Sequence, residues 1–195
     1  DTDRSRGLGD VYKRQITYTL KKHDLEVCWE VVNNDSETMY FTIGGHPAFR
    51  VPVREGESQS DYRLAFEGLD TLTYLLIDTS VGTVLADEPH TLSLENGTCS
   101  IAPHMFDKDA LVFDNGQIQK AGILFPDGTP YLTLTSEGFP NFGIWSVPGA
   151  PFVCLEPWMG RCDDCGFEKP LSEKANINVL KPDEEFIKSY QITVH

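Results

Sequence analysis

Pro151-Phe152-Val153-Cys154-Leu155-Glu156-Pro157-Trp158-Met159-Gly160-Arg161 is the stretch on which the reading of this chain turns. Phe152, Cys154 and Glu156 alternate with Val153 and Leu155, the two-residue period of a strand, which sets a carboxylate at the far end of an otherwise apolar face. Pro157 has no N–H to give and is expected to stop the ladder. Burying an unpaired carboxylate is costly, so Glu156 is either neutralised, most simply by Arg161, or put to use. Trp158 offers a flat apolar surface and Arg161 a rigid cationic fork. A carboxylate, an aromatic platform and a guanidinium suit a polyhydroxylated ring such as a sugar.

Outward from this stretch the pattern is β throughout. Ile16 to Leu20 and Leu25 to Val32 alternate around Lys21-Lys22-His23-Asp24, which reads as a hairpin. Met39 to Ile43, Tyr62 to Glu67, Thr91 to Leu94, Ser100 to Ala102, Ala110 to Phe113, Gly122 to Phe125, Tyr131 to Thr135, Phe142 to Val147 and Phe186 to Val194 are further strands. Turn formers such as Asp114-Asn115-Gly116, Pro126-Asp127-Gly128 and Pro148-Gly149-Ala150 separate them. Helical spacing is weak everywhere, strongest as a turn around Met105 to Asp109, and nothing alternates as βαβ. The expected fold is therefore all-β, an antiparallel sandwich or barrel in one domain. Asp1 to Gln15 has neither strand alternation nor an apolar stripe and reads as a non-native leader, leaving residues 16–195 as the fold.

The 195 residues carry a net charge of -14, which argues against a nucleic-acid partner because phosphate binding needs clustered Lys and Arg. No apolar run approaches the ~20 residues of a membrane span, and the first residues lack the apolar core of a signal peptide. The expected location is the cytoplasm. Five scattered cysteines, Cys28, Cys99, Cys154, Cys162 and Cys165, make a poor disulfide framework. Cys162-Asp163-Asp164-Cys165 has C-x-x-C spacing without a second pair, so two free thiols in a loop are expected rather than a zinc or redox site.

Two residues stand out as chemistry. His46 sits in Thr42-Ile43-Gly44-Gly45-His46-Pro47-Ala48-Phe49, where glycines allow close approach and Pro47 holds the histidine extended. Alone it is as readily a core histidine bonded to a carbonyl, just as Glu156 alone is an ion-pair partner. Together, over a floor of Phe49, Trp145 and Trp158, they would form an acid/base pair. The chain has no G-x-S-x-G, P-loop, G-x-G-x-x-G or H-E-x-x-H. Proton transfer on a neutral substrate remains, and ring opening of a cyclic hemiacetal needs only an acid and a base, with no metal or cofactor.

Gly44-Gly45-His46-Pro47-Ala48-Phe49, Asp109-Ala110-Leu111-Val112-Phe113, Gly143-Ile144-Trp145-Ser146, Cys154 through Asp163 and Leu180-Lys181-Pro182-Asp183-Glu184 resemble, in order, the aldose 1-epimerase (galactose mutarotase-like) family, most closely its LacX-type branch. The resemblance implies a galactose mutarotase-like supersandwich with a sugar in a cleft on the concave sheet. It implies His46 as general acid at the ring oxygen, Glu156 as general base at the anomeric hydroxyl, and Asp109 as a contact to sugar hydroxyls. Trp158, Arg161 and Phe49 are expected as pocket walls. Family members carry an upstream segment with further strands, a second histidine and an arginine, so this chain is expected to be incomplete at the N-terminus, with exposed sheet edges. The alternative reading is a carbohydrate-binding sandwich without turnover. A phosphosugar epimerase ranks lower, because only Arg50 and Arg161 lie near the motifs.

Overall fold

The computed structural model describes residues 12–195. Its larger sheet has seven strands in the order β1 (Tyr12–Lys21), β2 (Asp24–Asn33), β18 (Glu185–Val194), β14 (Pro130–Thr135), β13 (Lys120–Leu124), β6 (Arg63–Ala65) and β11 (Thr98–Ser100). The smaller runs β12 (Leu111–Phe113), β15 (Asn141–Trp145), β16 (Phe152–Met159) and β4 (Ile43–Gly44), with β5 (Ala48–Arg50) also on β16. Every strand pairing in both is antiparallel. Three two-stranded ribbons complete the set: β7 (Thr71–Tyr74) with β10 (His90–Ser93), β8 (Ile77–Asp78) with β9 (Thr83–Val84), and β3 (Met39–Phe41) with β17 (Asn178–Leu180). No helix among the described residues is long and apolar enough to cross a membrane.

Turn chemistry accounts for the tight connections. In Pro126-Asp127-Gly128, Gly128 takes φ +83°, the Asp127 carboxylate accepts from the Thr129 amide at 2.9 Å, and Gly128 N–H reaches the Phe125 carbonyl at 2.9 Å. β1 and β2 close as the expected hairpin, with Lys22 at φ +57°. Between the two main sheets lies one apolar core. Val27, Trp29, Leu64, Ile123, Leu132, Leu134 and Ile192 come from the larger sheet, and Phe113, Phe142, Ile144, Val153 and Leu155 from the smaller. This is the all-β antiparallel sandwich expected from the strand pattern.

Two local expectations are revised. Pro157 does not end its strand: β16 continues to Met159, with Trp158 opposite Gly44 and Met159 opposite Ile43. A proline removes only a donor, and its carbonyl still accepts from Gly45 N–H at 2.9 Å. The first strand begins at Tyr12 rather than Ile16, so Tyr12–Gln15, read as part of a leader, pair with Asn33–Glu30. Strand pairing needs only backbone groups, which alternation of side chains does not register; residues 1–11 of that expected leader lie outside the described residues. Finally, Ile16 and Tyr18 share a face with their buried partners Trp29 and Val27, yet are 42% and 66% exposed. The outermost strand of the described residues thus carries an exposed apolar edge.

Candidate active site

Strand register alone brings the two chemical residues together. β4 and β5 lie end to end against β16, with Gly44 opposite Trp158 and Ala48 opposite Cys154. Continuing that register across the gap puts His46 opposite Glu156. Backbone bonds clamp both flanks: Gly45 N–H to the Pro157 carbonyl at 2.9 Å and Leu155 N–H to the Pro47 carbonyl at 3.3 Å. The His46 Nε2 and Glu156 Oε1 atoms end 3.4 Å apart.

The two groups differ in surroundings. The His46 side chain is 59% exposed and that of Glu156 4%. His46 stands edge-on to Trp145, with ring centroids 5.7 Å apart. Burial pushes the Glu156 carboxyl up from 4.5 to about 7; the Trp158 indole N–H offsets part of this and the neighbouring Asp109 charge adds to it. A carboxyl held near neutrality is suited to taking and returning a proton at physiological pH. Cys154, two residues before Glu156 on the same face, has its thiol pushed up to about 12 by burial and by Glu156, so it stays protonated and does not serve as a nucleophile.

His46, Ile77, Asp109, Ala110, Trp145, Glu156 and Trp158 line one hollow of about 250 Å³. That is below the ~300–1,000 Å³ of drug-sized sites and in keeping with a single sugar ring. A larger hollow of about 630 Å³ opens on the seven-stranded sheet, beside Gly122 and His195. Its Lys120 is paired with Glu67 at 2.7 Å and His195 meets the Thr133 hydroxyl at 3.0 Å, so it offers no adjacent acid and base.

Of the expected site residues, His46, Glu156, Asp109 and Trp158 therefore meet. Asp109 is held at φ +73°, its carboxylate accepting from Ala110 N–H at 2.6 Å. Phe49 and Arg161 are placed elsewhere. Phe49 is opposite Val153, which is fully buried, so its ring points into the core and not the hollow. Arg161 has a 7% exposed side chain whose guanidinium is taken up by Asp114 and Asp164, each at 2.8 Å, and by the Cys162 carbonyl at 3.0 Å. Cys162 packs beside a small apolar cluster of Leu75, Val84 and Val112, and Cys165 is exposed; neither is in a disulfide.

Sequence reasoning missed what supports Trp158. A Cβ on Gly44 would come within 2.5 Å of the indole, and one on Gly143 would collide with its six-membered ring. Glycine on both flanking strands lets the indole lie flat across the sheet and wall the hollow. Gly143→Ala is expected to cost about 1–3 kcal/mol by overpacking. Urea unfolding checks it, and cutting Trp158 to Phe in the same chain should recover most of the loss. An undiminished cost in the double variant would mean that the indole is not what the new methyl meets.

No family model matches the chain. It is 28% identical over 186 residues to the protein LacX of Lactococcus lactis subsp. lactis, in both its plasmid and chromosomal forms, covering 94% of this chain and 62% of the relative. The chain thus spans about three fifths of the length of these curated relatives. Among solved structures it resembles a galactose mutarotase related enzyme from Lactobacillus acidophilus (TM-score 0.85, 26% identity, 94% of this chain and 61% of that one). It also resembles a galactose mutarotase-like protein from Lactobacillus casei (TM-score 0.79, 27% identity, 94% and 63%).

Proposed function

We propose that the chain, similar to the LacX proteins and to galactose mutarotase-like structures, belongs to the galactose mutarotase-like family and carries the acid/base half of an aldose 1-epimerase site, interconverting the α and β anomers of a neutral hexose. The observation that carries this reading is the 3.4 Å approach of His46 to a buried Glu156. In a cyclic hemiacetal the anomeric hydroxyl and the ring oxygen hang on the same carbon, so the base and acid that serve them must be near neighbours. Glu156 takes the hydroxyl proton while His46 protonates the ring oxygen as the C1–O5 bond breaks. Rotation about C1–C2 in the open aldehyde and reversal of both transfers closes the other anomer. Trp158 and Trp145 would face the ring's apolar C–H surface, and Asp109 would accept from a hydroxyl.

Charge narrows the substrate class. The hollow holds two carboxyl groups, Asp109 and Glu156, and the guanidinium of Arg161, which does not line it, is committed to Asp114 and Asp164. A sugar phosphate would meet repulsion with no Lys or Arg among the described lining residues to balance it, which favours a neutral sugar.

Exchange NMR on glucose or galactose tests the reaction: anomer exchange should rise above buffer with added protein. The rate should climb with pH through about 7, because Glu156 works only when ionised and its carboxyl titrates there. Exchange no faster than buffer, with sugar binding intact by calorimetry, would make the chain a carbohydrate-binding sandwich. A rate flat between pH 5 and 8 would exclude Glu156 as the base.

A further inference from the structure

Beside the acid/base pair, buried next to the hollow, lies one more donor than proton transfer uses. Cys154 and Glu156, two apart on β16, project from the same face, and His46 faces them across the strand. One ligand atom from each, the imidazole nitrogen, the thiol sulfur and a carboxylate oxygen, lies within 4.8 Å of the others. We propose that these three residues form a binding site for a borderline-soft divalent cation, Zn²⁺ or Cd²⁺, which occupies the hollow in place of sugar.

Distances and donor chemistry agree on the class of ion. With zinc bonds of about 2.0–2.1 Å to nitrogen and oxygen, neighbouring donors of a tetrahedral site stand about 3.4 Å apart. His46 Nε2 and Glu156 Oε1 are already at 3.4 Å. A sulfur at about 2.3 Å from the ion would sit about 3.6 Å from each of them, so from separations within 4.8 Å the site closes with a shift of about 1.2 Å at most. The half-exposed imidazole can supply that movement. A mixed nitrogen, sulfur and oxygen set selects zinc or cadmium over magnesium and calcium, which favour oxygen alone. Binding exchanges the thiol proton of Cys154 for the metal, the proton leaving to solvent. The dication, thiolate and carboxylate then sum to zero charge, which suits a poorly hydrated floor. Three protein ligands leave a fourth position to water, in the space the anomeric centre would fill.

The coordination claim stands on geometry, and only the competition with sugar rests on the epimerase reading. Titration of the full chain with Cd²⁺ tests it, following the ultraviolet thiolate-to-cadmium absorption in a Cys162→Ser/Cys165→Ser background that removes the C-x-x-C pair. One ion per chain is expected, with the band lost in Cys154→Ser. His46→Asn, at an exposed side chain where misfolding is not at issue, should weaken Cd²⁺ at least about tenfold, the loss expected for a ligand or its immediate support. A band that survives Cys154→Ser, or an affinity unmoved by His46→Asn, overturns the site. Saturating galactose should displace the ion. If Cd²⁺ binds as described but no anomer exchange is seen, the epimerase reading fails and the metal site stands; exchange without the band means the reverse.

Discussion

Glu156→Gln should lower anomer exchange by about 10²–10⁴-fold, the usual contribution of a positioned general base, and should make the protein more stable above neutral pH. The second half follows from the first half's cause. The carboxyl titrates near 7 in the folded chain against 4.5 unfolded, so folding favours its protonated form. That preference stabilises the fold fully below pH 4.5 and is lost as pH rises through about 7. Above that, the folded protein holds a buried carboxylate with no ion-pair partner of fixed charge, a cost on the order of 3 kcal/mol by the size of the shift. Glutamine carries no such cost. Urea unfolding at pH 5 and pH 8 should therefore show the variant gaining on the parent only at the higher pH. A variant destabilised at pH 8 would make Glu156 a structural residue, and the acid/base reading would go with it.

What the sequence disclosed and what it hid separate along physical lines. Alternation at Phe152 to Glu156 was legible because one face of β16 packs into the sandwich core and the other lines the hollow. His46 and Glu156 met because glycine and proline at 44, 45 and 47 fix a strand end that the register then aligns. Phe49 misses the hollow by parity: three residues from His46 along an extended chain, it faces the opposite side, against Val153. The short ribbons β7 to β10, which supply Ile77 to the site, were mostly unread because strands of two to four residues carry too little pattern. Arg161 was the hardest, since it lies beyond the strand and its main partner, Asp114, is 47 residues away. No local period announces such a pairing.

That pairing yields the largest expected stability effect. Arg161 donates from Nε and Nη2 to both Asp114 oxygens at 2.8–3.1 Å, and Asp114 also accepts from Asn141 Nδ2 at 2.7 Å. The fork ties the loop after β16 to the turn after β12, two edges of the wall that carries Trp158. Arg161→Ala would leave Asp114 four-fifths buried with one neutral donor, and breaking one side of a buried pair costs about 3–5 kcal/mol. Arg161→Lys should recover only part, because an ammonium cannot match the two-toothed geometry. Charge reversal is not needed to test this: replacing Asp114 with Asn in the Arg161→Ala chain removes the stranded charge and should restore a good share of the loss. A cost below about 1 kcal/mol for Arg161→Ala would place the pair among weak surface bridges. In that event the Trp158 wall must be held by the Gly44 and Gly143 contacts alone.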